Sequence, residues 1–301
     1  MYRPASMAMA NNDFNHSFVL TFEKNFDEES FYEWMLRNWT HSFWYAAVYV
    51  VLIFTGKYYM HERPRFEIRA ALATWSAVLA IFSIFGAIRT VPELVYVIRK
   101  YGWEYSMCSP SYFYGPISFW AYMFTVSKVY ELGDTIFIIL RKQQLIFLHW
   151  YHHVSVLIYV WYSYTDHTAP GRWFMVMNYT VHAFMYTYYA FRAMQFRIPK
   201  VINMVITSMQ ITQMTVGILV NIQTYKVKTR GDYCQQSMEN VYYSIMMYVS
   251  YFLLFAYFFF KTYFHKKKSV PSMEPINGKV ANGGKCANGI KVSNGVTKKM
   301  Q

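Results

Sequence analysis

Between residues 42 and 264 the chain runs repeatedly for about 20 residues with almost no charge, the length an α-helix needs to cross the hydrocarbon core of a bilayer. Such runs fall near 42–60, 70–91, 116–140, 145–165, 173–191, 201–222 and 241–264. A backbone inside a bilayer must satisfy its own hydrogen bonds, so the pattern predicts an all-α membrane protein of seven transmembrane helices. Only 15% of the residues are charged and 21% are aromatic, which sets the chain apart from an ordinary soluble domain. Residues 1–40 carry Asp27, Glu28, Glu29 and Glu33 with no apolar core, so a cleavable signal peptide is excluded. Three parts are expected: an N-terminal segment over 1–40, a membrane domain over 41–264, and a basic tail over 265–301. The Gly/Asn/Lys-rich composition of that tail predicts disorder.

The net charge of +13 does not point to nucleic acid, because eight of the lysines lie in the tail from Lys266 onward. Anionic head groups or an anionic cofactor suit the remaining positive charge better. Lys and Arg number 17 on the side that holds the tail and 9 on the other, excluding those within spans, which predicts a luminal N-terminus and a cytosolic C-terminus. The tail supplies that bias, since without it the two sides are equal. Cys108 and Cys234 then share the luminal side, where an oxidising environment allows them to pair, whereas Cys286 in the tail stays reduced. Asn15-His16-Ser17 and Asn38-Trp39-Thr40 are glycosylation sequons on that same side, and Asn178-Tyr179-Thr180 falls inside a span. The terminal Lys298-Lys299 pair resembles a receptor-read address for retrieval to the endoplasmic reticulum.

Polar residues interrupt four of the apolar runs. "SKVYELGDT" places Lys128, Glu131 and Asp134 at steps of three, within ~120° of helix surface, with Thr135 beside them. "HWYHH" puts His149, His152 and His153 on one helical face. His182, Met185, Tyr186 and Tyr189 share a face of the next run, and Thr207, Gln210 and Gln213 recur at steps of three in the one after. Each has a plainer reading: an ion pair that fixes helix packing, metal ligation by His149 and His153, or glutamines bonding between helices. Four helices that each present a polar stripe favour one shared cavity. Ionisable groups at membrane depth mark a functional site by default.

Taken together, Lys128-x-x-Glu131-x-x-Asp134-Thr135, His149-x-x-His152-His153, His182-x-x-Met185-Tyr186-x-Tyr188-Tyr189 and Thr207-x-x-Gln210-x-x-Gln213 resemble the four signature motifs of the ELOVL family of fatty acid elongases. They occur in the family's order, and the resemblance covers roughly residues 20–265. It implies a seven-span enzyme of the endoplasmic reticulum, its active site facing the cytosol and its helices surrounding a buried acyl tunnel. The implied reaction joins malonyl-CoA to a saturated or monounsaturated acyl-CoA, C16 to C18 above all, and releases CO2 and CoA with a 3-oxoacyl-CoA. No tightly bound cofactor and no metal are implied. Other elongation-cycle enzymes of the same membrane are the implied neighbours.

No cysteine lies in any span, so histidine is the remaining nucleophile, carrying the acyl group as an acyl-imidazole sheltered from water. His152 is expected to take it, with His149 and His153 orienting it or moving protons and His182 assisting from the next helix. Lys128, His182, Tyr186, Gln210 and Gln213 are candidates to stabilise the enolate, and Asp134 to set the tautomer of a box histidine. Arg141, Lys142, Arg192, Arg197 and Lys200 stand where CoA phosphates would arrive, although flanking positive charge alone explains them too. The rival readings are a di-iron membrane desaturase or hydroxylase, which needs about eight histidine ligands, and a seven-span receptor or transporter.

Overall fold

A computed structural model of the chain describes residues 14 and 16–264; Asn15, residues 1–13 and the tail from 265, with Lys298 and Lys299, lie outside them. The described residues form helices and connecting turns, with no strand among them. In chain order they are α1 (Thr21–Lys24), α2 (Glu28–Asn38), α3 (His41–Tyr59), α4 (Arg69–Cys108), a 3₁₀ turn (Ser111–Phe113), α5 (Pro116–Glu131), α6 (Asp134–Leu140), α7 (Phe147–Thr165), α8 (Gly171–Ala193), α9 (Lys200–Thr229) and α10 (Met238–Tyr263).

Every apolar run coincides with helix, with two departures from the sequence reading. The second run does not stop near 91 but continues as the 40-residue α4, with Pro92 inside it and a kink at Gly102 (φ 86°). Gly102 leaves helical geometry at a positive φ that glycine adopts without steric cost, so two helical stretches meet there across the kink. The third run is divided: α5 ends at Glu131 and α6 begins at Asp134, with Leu132 and Gly133 between them. A side chain at 133 would place its Cβ 2.6 Å from the Trp75 indole, so the break depends on glycine. Three helices, α4, α9 and α10, are long and apolar enough by length and composition to cross a membrane. The others are divided, as α5 and α6 are, or give positions to Tyr, Trp, His and Asn, which lower their mean hydropathy.

Inside the bundle α8 lies along α4, and Gly86 lets the Tyr179 ring approach to where a Cβ would stand 2.5 Å away. The Tyr179 hydroxyl donates to the Trp120 carbonyl at 3.0 Å, which ties α8 to α5. Leu157, Trp161, Met214 and Tyr248 complete the core from α7, α9 and α10. Outward faces are apolar as well: Leu52 is 62% and Leu253 61% exposed, as lipid contact requires.

The N-terminal segment is docked onto the helices. Arg89 of α4 forms an ion pair of 2.6 Å with Glu23 of α1, and the Trp120 indole also donates to that carboxylate at 2.6 Å. Burial alone would raise the Glu23 carboxyl, but the donors Trp120, Arg89 and the Leu20 amide hold it below its ordinary value. Removing one partner strands a buried charge, so Arg89→Met is expected to destabilise the fold by about 3–5 kcal/mol, read as a lower Tm in detergent, with Glu23→Gln in the same background restoring part of it.

At the Cys108 end, a disulfide joins Cys108 to Cys234. The next residue, Gln235, donates its amide to the Cys108 carbonyl at 3.0 Å and accepts from the Ala169 amide at 2.8 Å. One short segment therefore clasps both the end of α4 and the start of α8.

Candidate active site

Four helices meet at the break between α5 and α6. Lys128 is 1% exposed and its Nζ donates to Glu131 Oε1 at 2.6 Å and to Asn178 Oδ1 at 2.9 Å. An ammonium only donates, so the Asn178 oxygen must face it and the Asn178 amide must face His182 Nε2, 3.1 Å away. That ring nitrogen accepts, which leaves the imidazole proton on Nδ1, 3.8 Å from Glu131 Oε1. Ser127 Oγ adds a bond to the same carboxylate oxygen at 3.1 Å, while Glu131 Oε2 is buried with no partner. Lys128, Glu131, Asn178 and His182 thus close a polar ring in an apolar bundle.

The break turns Asp134 away from Lys128 and Glu131. Its carboxylate accepts from Trp75 Nε1 and Tyr186 OH, both at 2.7 Å, and not from a box histidine. The residue that meets a box histidine is its neighbour: Thr135 Oγ1 lies 2.9 Å from His149 Nε2 and 2.7 Å from the Tyr49 hydroxyl of α3. Leu132 and Gly133 keep helical dihedrals but bond i to i+3, and beyond this turn Asp134 takes partners different from those of Lys128 and Glu131.

The three box histidines stay together on α7. The rings of His149 and His153 are 4.5 Å apart and those of His152 and His153 5.6 Å apart. His153 is buried with Nδ1 unpartnered. His152 packs 4.9 Å from the Tyr251 ring of α10, whose hydroxyl is 2.7 Å from Ser155 Oγ, one turn further along α7. Among the described residues no three His, Cys, Asp or Glu side chains converge as metal ligands.

From His152 a narrow cavity of about 70 Å³ runs into the bundle. Its polar end holds His152, Asn178 and Gln213, its walls are mainly Phe124, Val156 and Met175, and its far end is Tyr112, Phe113, Thr168 and Gly171. Of the α9 stripe only Gln213 reaches it; Gln210 Nε2 lies 3.4 Å from Met185 Sδ and Thr207 Oγ1 3.4 Å from the Tyr263 hydroxyl.

The basic candidates divide. Lys142 braces the chain, with Nζ donating to the carbonyls of His61 (2.9 Å) and Arg63 (3.0 Å). Arg141 is half-buried, and Arg192, Arg197 and Lys200 are exposed around the α8–α9 connection. At Asn38, the end of α2, the sequon amide donates to the Trp34 carbonyl at 2.7 Å.

Sequence reasoning missed Asn178 and Tyr251. Asn178 was visible only as a sequon, although its position four residues before His182 puts it on that histidine's face. Tyr251 belongs to a Ser244, Tyr248, Tyr251 stripe at i, i+4 and i+7 of α10 that carries no charge to draw notice.

A family model described as "ELO: GNS1/SUR4 family" matches residues 34–271. Very long chain fatty acid elongase 6 of Drosophila melanogaster is 51% identical over 240 residues, 78% of this chain and 76% of that protein. The Gallus gallus protein of the same name is 52% identical over 230 residues, covering 76% and 86%. Very long chain fatty acid elongase 3 of Homo sapiens is 44% identical over 230 residues, covering 76% and 84%. With the helical bundle and the histidine-lined cavity, these matches place the chain: it belongs to the ELO: GNS1/SUR4 family.

Proposed function

We propose that His152 carries the acyl group while this chain, a fatty acid elongase working at the 3-oxoacyl-CoA synthase step, lengthens a long-chain acyl-CoA by two carbons. An unprotonated His152 nitrogen attacks the thioester carbonyl, the C–S bond breaks, and CoA leaves as the thiolate. Malonyl-CoA then loses CO2, and its enolate carbon attacks the acyl-imidazole. The C–N bond breaks, the imidazole is restored, and 3-oxoacyl-CoA departs. The enolate oxygen needs donors: of the candidates Lys128, His182, Tyr186, Gln210 and Gln213, Gln213 lines the cavity and Lys128 and His182 are joined to its wall through Asn178. Malonyl-CoA and acyl-CoA are the substrates, and no other cofactor enters the scheme.

The observation that carries this reading is the cavity that leads from His152 into apolar protein. At 1.5 Å per residue, α7 descends about 18 Å from His152 to Tyr164, and α8 about 16.5 Å from His182 to Gly171. Carbon–carbon bonds near 1.5 Å with tetrahedral angles advance about 1.25 Å per methylene, so this depth holds roughly fifteen carbons. A C16 substrate, saturated or monounsaturated, is the natural occupant, and each buried methylene contributes about 0.8 kcal/mol to binding.

The membrane arrangement follows the same reading: α3, α4, the α5–α6 pair, α7, α8, α9 and α10 are the seven spans. The bonded Cys108 and Cys234 support a common luminal side, with four spans between them. The histidine end then faces the cytosol, where Arg141, Arg192, Arg197 and Lys200 meet the CoA phosphates, and Lys298-Lys299 keeps the protein in the endoplasmic reticulum beside the other enzymes of the cycle.

Ala121 lines the cavity on α5, about 10.5 Å below Lys128 at 1.5 Å per residue. Ala121→Phe is therefore expected to lower turnover of palmitoyl-CoA at least tenfold while retaining that of octanoyl-CoA, measured by incorporation of radiolabelled malonyl-CoA. Unchanged turnover of palmitoyl-CoA would mean that the acyl chain lies elsewhere.

A further inference from the structure

The far end of the cavity is built differently from its walls. Tyr112 comes from the connection between α4 and α5, is 4% exposed, and reaches across to the start of α8. Its hydroxyl donates to the Thr168 carbonyl at 2.8 Å. A Cβ on residue 171 would stand 2.4 Å from that hydroxyl oxygen, so the ring occupies its place only because residue 171 is glycine. The Arg172 guanidinium lies 5.3 Å from the ring centre and is itself immobilised, by Glu93 at 3.2 Å, the Ser106 carbonyl at 3.0 Å and the Ser111 hydroxyl. A methionine wall such as Met175 can re-pack around a longer chain, since its unbranched side chain turns freely. A ring tethered at its hydroxyl and held beside a buried cation cannot.

We infer that Tyr112, seated against Gly171, is the stop that fixes the longest acyl chain this enzyme accepts. The inference rests on the reading that the cavity holds the acyl tail. In a fully extended chain the terminal methyl of a C16 substrate arrives at the Tyr112 ring, and the C18 product carries two carbons more than the space admits. A second round on the same lipid is thereby discouraged by a contact that does not yield.

Two substitutions move the stop in opposite directions. Tyr112→Ala removes a ring about 6 Å long, which at about 1.25 Å per methylene extends the acceptable chain by up to about five carbons. C18 and C20 acyl-CoA become substrates, their turnover relative to C12 rising at least tenfold. Gly171→Ala pushes the tyrosine into the cavity and shifts the preference downward, with the C16-to-C12 turnover ratio falling at least tenfold. The assay is incorporation of radiolabelled malonyl-CoA over a panel from C12 to C20, the C12 substrate reporting a folded, active enzyme because its tail ends short of the floor. Should Tyr112→Ala lose C12 activity, Tyr112→Leu, closer in volume, replaces it with the same expectation. An unmoved chain-length profile in the variants active on C12 overturns the assignment, and so does loss of C12 activity in all three. Ala121→Phe separates the two levels: if it blocks long chains while the Tyr112 and Gly171 variants change nothing, the stop is wrong and the cavity reading stands. If Ala121→Phe is also without effect, the cavity reading fails first.

Discussion

Replacing His152 with alanine is expected to lower elongation by about 10⁴-fold or more, because among the described residues no second histidine and no cysteine lines the cavity to take its place. The sharper result concerns the first half of the reaction. Given acyl-CoA alone, the native enzyme should release CoA once per active site and gain the mass of an acyl group; His152→Ala should do neither. The neighbouring rings have different surroundings and predict different outcomes. His149 is bonded to Thr135 and His153 is buried behind it, so alanine at either position should slow acylation without preventing the mass shift. Tyr251 packs on the His152 ring from α10, and its loss should raise the time needed to acylate while the final stoichiometry stays at one. An acylated His152→Ala protein would place the covalent step elsewhere and remove the foundation of the scheme.

The second large effect is expected at Asn178. Its amide group hydrogen-bonds both the Lys128 ammonium and the His182 ring, and its orientation is forced by the donor on one side and the acceptor on the other. Asn178→Leu breaks both bonds and leaves a buried ammonium with Glu131 alone. Turnover should fall about 10²–10³-fold, the range for a misplaced acid–base group, with KM for acyl-CoA little changed because the tail contacts remain. Asn178→Asp is the discriminating variant. It has nearly the same shape and still accepts from Lys128, but it offers His182 an acceptor where a donor stood. If Asn178 only packs, the aspartate should behave like the native enzyme; if it sets the ring, the aspartate should be as poor as the leucine. Near-native kcat in Asn178→Asp would refute the role.

Much of this was legible in the residues. The spacing of apolar runs located every helix of the bundle, because a hydrocarbon environment leaves few alternatives to helix and few tolerable polar positions. The polar residues that remained therefore stood out, and the box histidines, Lys128, Glu131, His182 and Gln213 do converge. What periodicity could not reveal was the interruption at Leu132–Gly133. The turn there bonds i to i+3, and Asp134 beyond it pairs with Tyr186 and Trp75, which a count of steps of three does not foresee. Nor could it reveal Asn178, whose importance comes from lying between two charged or titratable groups on different helices. The floor of the cavity was hidden for a similar reason. Tyr112 is one tyrosine among 29, in a connection and not in a span, and nothing local distinguishes it. Its role comes from Thr168, Gly171 and Arg172, more than fifty residues away.

The clasp made by Gln235 gives the disulfide a bearing on chemistry performed at the opposite end of the bundle. Cys108 precedes Tyr112 by four residues and Ala169 follows Thr168 directly, so the segment held by the sulfur–sulfur bond is tied to the chain just before that ring and to the peptide whose carbonyl tethers it. Material matured in a reducing host would keep its histidines in place yet lose the staple under its floor. Two preparations of identical sequence would then differ in the longest lipid they finish, and the oxidation history of the sample belongs among the variables of any specificity measurement.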